Sequence, residues 1–379
     1  MLIILRNFGL TFILMISFSF VCCAYACPDI SASSAVLIDA DTLEVLYDKE
    51  SEIRRTMAST TKIMTTLLAV ESDNLDKTVK VKDDVYIEGT AIGFKKGDKL
   101  TLEALCYAMM LESGNDAAVL TARYLAGNEE NFSTVMNSKA AEIGMNNTNF
   151  VTASGLDADG HYSTAYDMAL LGAYSIKNAK FREICSKKNY KAIFLNSGSV
   201  RYFSNHNKLL SMCGGAIGVK TGFTKKSGRC LVSACERNGK LLVAVTLNAP
   251  DDWNDHIRLY DYGYSLYDEI ALSSQIPEAV KIYGSEIKSI RPQLTGEIKV
   301  YALKNSSVET VIQLNHFLYA PIKKFDTIGK ILYLQNGYKI AEQPIVSAET
   351  ADAYEDYLIY KPSVFSRISD FIKRNKKRG

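Results

Sequence analysis

Residues 58–71 read Ala-Ser-Thr-Thr-Lys-Ile-Met-Thr-Thr-Leu-Leu-Ala-Val-Glu. The stretch is rich in apolar residues and free of helix breakers, so it predicts a helix that opens at Ala58-Ser59. Ser59 and Lys62 then stand at i and i+3, on one face and within reach of each other. The Ser59 hydroxyl sits at the positive end of the helix dipole, where developing negative charge is favoured. A serine hydroxyl is a poor nucleophile until a base removes its proton. A lysine can be that base only if burial and nearby cations lower its pKa.

Two later motifs extend the pattern: Ser113-Gly114-Asn115 and Lys220-Thr221-Gly222. In this order the three spell the parts of an active-serine acyl-transfer site with a lysine base, Lys220 being the cation that would depress the pKa of Lys62. Each motif alone is weak, and the chain contains decoys for all three: Ser285-Glu286-Ile287-Lys288, Ser72-Asp73-Asn74 and Lys226-Ser227-Gly228. A lone S-x-x-K is most often an N-cap serine followed by a solvated lysine, and a lone Ser-Gly-Asn is an ordinary turn. Geometry removes Ser72, which lies about thirteen residues along the Ser59 helix, roughly 20 Å at ~1.5 Å per residue.

Context supports the remaining set. Ser113-Gly114-Asn115 falls between the helical run Leu102–Leu111 and a second one opening at Asp116, a turn able to project a hydroxyl and an amide into a cleft. Lys220 ends the run 214–219 and is followed by strand-like stretches 229–236 and 241–247, with the hairpin signal Asn238-Gly239 between them. A strand bordering a cleft can offer a cation, a hydroxyl and backbone N–H groups to a carboxylate and an oxyanion.

These residues, with the linking stretches Gly155-Leu156-Asp157 and 161–169, resemble the serine D-alanyl-D-alanine carboxypeptidases, the low-molecular-weight penicillin-binding proteins of bacterial walls. The resemblance spans roughly residues 34–267 and continues more loosely beyond. It implies a β-lactamase/transpeptidase-like α/β (α+β) domain over 27–268, with helices packed on an antiparallel sheet. It further implies that Ser59 attacks the penultimate D-alanine carbonyl while Lys62 takes its proton. Ser113 would relay a proton to the departing D-alanine, and Asn115 would hold the substrate amide. Lys220 and Thr221 would bind the terminal carboxylate, Gly222 belongs to the same motif, and the oxyanion would rest on the N–H groups of Ser59 and Phe223. β-Lactam antibiotics are the implied covalent inhibitors. Met57 departs from the family, where proline is common before Ala-Ser.

Class A β-lactamases share the three motifs and need a glutamate to direct the deacylating water. Glu142-Ile143-Gly144-Met145-Asn146 matches the spelling, but it reads as the end of a helix over 136–143 before a C-cap glycine. A non-catalytic wall-binding or penicillin-sensing module is a further alternative, since side chains that are present need not be active.

At 379 residues and 47% hydrophobic composition the chain can bury a large core and is expected to hold two domains, and its net charge of +2 gives no sign of a nucleic-acid partner. Residues 1–26 carry Arg6, an apolar stretch over 8–21 and Ala24-Tyr25-Ala26, a secretory signal with an A-x-A cleavage site. Export to the outer face of the cytoplasmic membrane, the wall or the medium is therefore expected. Cleavage before Cys27 leaves a lipoprotein alternative open, although Ala24 is a poor residue for it. The remaining cysteines are expected to be mostly free and buried, with Cys230 and Cys235 on opposite faces of one strand. His161, His206, His256 and His316 are scattered, so neither a metal nor another cofactor is expected, and His206 and His256 read as structural.

Beyond Tyr267, short β-rich runs at 296–303, 308–314 and 330–334 predict a smaller all-β domain over 272–359. In 362–379, Val364, Phe365, Ile368, Phe371 and Ile372 fall within roughly 120° of a helical wheel opposite Arg367, Asp370, Lys373 and Arg374. A basic amphipathic helix of this kind can lie in a membrane interface or pack on the protein itself.

Overall fold

Strands that are apolar along their whole length must be covered on both faces, and the longest such runs of this chain form its central sheet. The structure, a computed structural model, describes residues 27–304, 306–315 and 317–354. The signal-like segment 1–26, His316 and the amphipathic segment 362–379 lie outside the described residues. β1 (Ser34–Asp39) and β2 (Val45–Lys49) form a hairpin, and a one-turn 3₁₀ helix over Ala58–Thr61 runs into α1 (Lys62–Glu71). β3 (Thr78–Lys80) pairs with β4 (Lys99–Thr101) and leads to α2 (Leu102–Leu111), α3 (Asn115–Ala126) and α4 (Glu129–Ile143). α5 (Ala165–Ile176), α6 (Ala179–Ser186), the hairpin of β5 (Asn189–Ile193) and β6 (Val200–Ser204), and α7 (Leu209–Met212) follow. β7 (Ala216–Thr224), β8 (Gly228–Arg237), β9 (Lys240–Leu247) and α8 (Asp252–Ser265) close this part of the chain.

The sheet is antiparallel, in the order β2-β1-β9-β8-β7. Its residues alternate between two cores. Val36, Ile38, Val232, Val243 and Val245 face α1 to α6, whereas Leu37, Leu231, Leu242 and Ala244 face Leu259 and Tyr260 of α8. Cys230 and Cys235 divide between the two cores in the same way. His256 is sealed under the sheet, its Nδ1 2.6 Å from Ser233 Oγ and its Nε2 3.0 Å from Thr246 Oγ1, and burial lowers its pKa to about 3. It is a structural histidine. The helix expected over 136–143 starts earlier, at Glu129, because the Asn128 side chain caps it by accepting from Asn131 N and two glutamates fill its first turn.

A β-rich unit follows: β10 (Tyr267–Leu272), β11 (Val280–Tyr283), β12 (Ser289–Ile290), β13 (Pro292–Leu294), β14 (Ile298–Leu303), β15 (Val308–Leu314), β16 (Leu318–Tyr319), β17 (Thr327–Gln335) and β18 (Tyr338–Ser347). Ile290, Ile331, Tyr333 and Ile345 lie in its own core. β10 pairs along its whole length with β14, so β-structure resumes at Tyr267, directly behind α8. Among the described residues no helix is long and apolar enough to cross a membrane.

A buried ion pair links the two parts. Lys240 Nζ donates to Asp39 Oδ2 at 2.8 Å, and the Tyr267 hydroxyl donates to the same oxygen at 2.8 Å. Asp39 also accepts from the backbone N–H groups of Asp41 and Thr42. Removing one member of such a pair leaves a buried charge uncompensated. Lys240→Met should therefore cost about 3–5 kcal/mol. The double variant with Asp39→Asn should cost less than the sum of the single changes, as checked by urea unfolding of all three proteins.

Candidate active site

The sequence of 58–62 forms a tight turn before it forms an α-helix. Ala58 takes a left-handed φ of 48°, Thr60 N donates to Met57 O at 3.2 Å, and the α-helix proper begins at Lys62. Ser59 is half-buried and Lys62 fully buried. The 3₁₀ turn, tighter than an α-helical one, sets the two side chains together: Lys62 Nζ lies 2.8 Å from Ser59 Oγ.

Two acceptors also converge on that nitrogen. Asn115 Oδ1 stands 2.7 Å away and the Ser154 carbonyl 2.6 Å away. Asn115 is held in one orientation because its Nδ2 donates to Glu88 O at 2.7 Å, an oxygen that can only accept. Burial pulls the pKa of Lys62 well below that of a free lysine, and the charge of Lys220 pulls it further, against a smaller opposing effect of Asp116. A neutral lysine has two N–H groups and one lone pair. Asn115 Oδ1 and Ser154 O must take the N–H groups, which leaves the lone pair for the Ser59 hydroxyl.

Ser113 lies in the turn between α2 and α3 at a φ of 64°, and its hydroxyl makes no hydrogen bond to another described residue. Such strain at two residues of one site, Ala58 and Ser113, persists only where the surroundings enforce it. Asp116 supplies part of that enforcement. Its buried carboxylate accepts from the backbone N–H groups of Ile92, Gly93 and Phe94 at 2.9, 2.7 and 3.3 Å, and Asn115 N donates to Thr90 O at 2.8 Å. The segment 88–94 is thereby pinned across the start of α3.

Lys220, Thr221, Gly222 and Phe223 lie on β7, the edge strand of the sheet, whose free side borders the Ser59 turn. A Cβ on Gly222 would stand 3.1 Å from both Ser59 N and Thr60 N, so the strand reaches the turn only because this residue has no side chain. Lys220 is buried, which lowers its pKa to about 7, and among the described residues its ammonium donates only to Thr221 O, at 2.9 Å. Thr221 Oγ1 makes no hydrogen bond to a described residue, and the Phe223 ring is exposed.

The decoys have other roles. Ser72 caps the far end of α1, Ser227 bonds Thr224 in the turn between β7 and β8, and Lys288 pairs with Tyr354 in the β-rich unit. Glu142 is exposed at the end of α4 and pairs with Lys139. His206 is exposed, 3.3 Å from Glu112 beside Ser113.

Sequence reasoning missed Glu88 and Ser154 because backbone carbonyls carry no side-chain signature. It also missed Asp116, whose position directly after Asn115 was the available signal. Thr61 Oγ1 lies 3.0 Å from His161 Nε2, and Val151 N donates to His161 Nδ1 at 2.9 Å, so this buried histidine ties the turn to the 151–161 segment.

Comparison with known proteins gives the family. The family model for D-alanyl-D-alanine carboxypeptidase (peptidase S11) matches residues 23–251, and that for the penicillin-binding protein 5 C-terminal domain matches residues 274–353. The chain belongs to the D-alanyl-D-alanine carboxypeptidase family. It is 32% identical over 336 residues to D-alanyl-D-alanine carboxypeptidase DacF of Bacillus subtilis, covering 84% of this chain and 85% of the relative. It superposes on a mutant of the Streptomyces K15 DD-transpeptidase with a TM-score of 0.60 and 31% identity, over 63% of this chain and all of that one. Penicillin binding protein 5 from Haemophilus influenzae gives a TM-score of 0.60 and 25% identity over 86% of this chain and 98% of that one. The family's fold, helices on an antiparallel sheet followed by a β-rich domain, is the fold of this chain.

The packing around Ser59 can be tested at Gly155 and at Lys220. A Cβ on Gly155, at a φ of +83°, would stand 1.9 Å from Ala58 O. Gly155→Ala should therefore cost at least ~2 kcal/mol in urea unfolding, from strain and overpacking together. Lys220 is depressed in the folded protein, so between its folded pKa of about 7 and the ordinary 10.5 the unfolded chain binds the extra proton. Its contribution to stability therefore rises with pH across that window, with a slope of up to about 1.4 kcal/mol per pH unit. Lys220→Met should flatten this slope in unfolding measured from pH 7 to 9.

Proposed function

We propose that this enzyme is a serine-type carboxypeptidase that removes the terminal D-alanine from peptidoglycan stem pentapeptides through an acyl-enzyme on Ser59, and that penicillin acylates the same oxygen. The observation that carries the reading is the buried Lys62 Nζ, 2.8 Å from Ser59 Oγ with Asn115 Oδ1 and Ser154 O as its other neighbours, an arrangement in which a neutral amine keeps its lone pair for Ser59.

Lys62 takes the Ser59 proton as Oγ attacks the carbonyl of the penultimate D-alanine. The resulting oxyanion rests on the backbone N–H groups of Ser59 and Phe223, which the close approach of Gly222 brings to one side of the cleft. Ser113, with its hydroxyl unengaged, relays the proton from Lys62 to the departing amine. The carbon–nitrogen bond breaks, D-alanine leaves, and water hydrolyses the Ser59 ester. Asn115 also positions the substrate amide.

The terminal carboxylate binds Lys220 and the Thr221 hydroxyl, a cation and a donor that protein partners leave largely unused. The two lysines therefore act in complementary ways. Burial lowers the pKa of Lys62, and the positive charge of protonated Lys220 lowers it further.

The surface pairing of Glu142 with Lys139 speaks against the β-lactamase reading, and the assembled Ser59–Lys62–Asn115 cluster speaks against a non-catalytic module. The signal-like residues 1–26 support action outside the cytoplasm, and the basic amphipathic residues 362–379 support peripheral attachment at the outer face of the cytoplasmic membrane, with 27–268 as the catalytic domain and 272–359 as its β-rich companion.

D-alanine release from a D-Ala-D-Ala pentapeptide should be abolished by Ser59→Ala. Lys62→Ala should lower kcat/KM by about 10²–10⁴-fold. Fast penicillin turnover without D-alanine release would instead identify a β-lactamase. Removing the charge of Lys220 should raise the pKa of Lys62, so Lys220→Met should move the acid limb of the penicillin acylation rate to higher pH, with intact mass locating the adduct.

A further inference from the structure

Six cysteines lie among the described residues, Cys27 exposed and the other five buried, and the buried five differ in their polar neighbours. Burial pushes the thiols of Cys106, Cys185 and Cys230 upward, which makes them inert apolar side chains. Cys213 and Cys235 form a pair instead. Cys213 ends α7, and Cys235 lies on β8 opposite Ala216, the first residue of β7. Both thiols donate to one acceptor, the Gly214 carbonyl, at 3.8 and 3.5 Å, which sets the two sulfurs side by side around a single oxygen.

A cation completes the site. Arg237 Nη2 stands 3.4 Å from Cys213 Sγ, while its Nε donates to Gly214 O at 3.0 Å and its Nη1 to Asp261 at 3.1 Å. The partner thiol and this guanidinium lower the Cys213 pKa to about 6, whereas the neighbouring sulfur and burial push Cys235 up. Cys213, beside the guanidinium, is thus the more acidic of the two thiols and the one suited to attack first in thiol–disulfide exchange, with Cys235 as its resolving partner. Gly214 and Gly215 follow Cys213, and a Cβ on Gly215 would stand 3.2 Å from Cys235 Sγ, so the chain leaving Cys213 packs directly against the second sulfur.

We propose that Cys213 and Cys235 are a redox-active pair that closes reversibly into a disulfide, in exchange with a low-molecular-weight disulfide such as oxidised glutathione. The Cys213 thiolate attacks one sulfur of the oxidant, forming a mixed disulfide and releasing one thiolate. Cys235 then attacks the Cys213 sulfur, and its proton leaves with the second released thiol. Two protein sulfurs are oxidised by two electrons, and one disulfide is reduced to a thiolate and a thiol. The ring so closed contains the whole of β7, the strand that carries Lys220, Thr221 and Gly222.

The pair is independent of the catalytic reading, and so is its test. The full-length protein is equilibrated in glutathione buffers of increasing oxidised fraction, quenched in acid, alkylated in denaturant and mapped by peptide mass. The expected result is joint loss of alkylation at Cys213 and Cys235 with a cross-linked peptide that dithiothreitol reverses, while Cys106, Cys185 and Cys230 stay alkylated. Cys235→Ala should stop at a glutathione adduct on Cys213, and Cys213→Ser should leave Cys235 free. Full alkylation of both residues of the folded wild-type protein in oxidised glutathione alone, or a disulfide from Cys213 to any other cysteine, would overturn the proposal.

Discussion

A lysine amine held out of water is the constraint on which the rest of this structure depends. Lys62 would be an ordinary ammonium in solvent, and an ammonium has no lone pair to accept a proton. Burial alone would give a neutral amine with no preferred direction. The three oxygens around Nζ supply direction, and each comes from a different segment: Ser59 from the 3₁₀ turn, Asn115 from the start of α3, and Ser154 from the chain between α4 and α5. The helical core over α1 to α6 keeps water away, and those three segments decide where the lone pair points.

Strain concentrates where these segments meet. Ala58 and Ser113 both occupy left-handed backbone, and Gly155 packs against the Ala58 carbonyl at a distance no side chain permits. The surroundings that enforce this are polar and buried. Asp116 collects three backbone N–H groups of segment 88–94, and His161 joins Thr61 to Val151. Such hydrogen bonds are strong away from water and leave costly vacancies when one partner is removed, so the site is rigid for the same reason that it is buried.

β7 couples the site to the sheet. Its inner side is committed to eight register positions against β8, while its outer side is free to face Ser59. Cys213, on the segment leading into β7, meets Cys235 of β8 at the Gly214 carbonyl, and the far part of the sheet carries the Asp39–Lys240–Tyr267 cluster that holds the β-rich unit.

The chain's residues alone determined the elements and the chemistry they can carry. The breaker-free run after Ser59, the turn between two helical runs at Ser113, and the Asn238-Gly239 hairpin beside Lys220 are local features, and local sterics and hydrogen bonding decide them. They also marked Lys62 as a base in need of a neighbouring cation. How the three motifs meet was a matter for the tertiary structure, because Ser59, Asn115 and Lys220 are far apart in sequence and only packing on the sheet brings them together. The same holds for Glu88 and Ser154, which act through carbonyl oxygens that every residue possesses, and for Cys213 and Cys235, whose pairing depends on strand register. A backbone acceptor or a through-space charge leaves no mark in composition or spacing. It exists only where the folded chain has excluded water and fixed a distance.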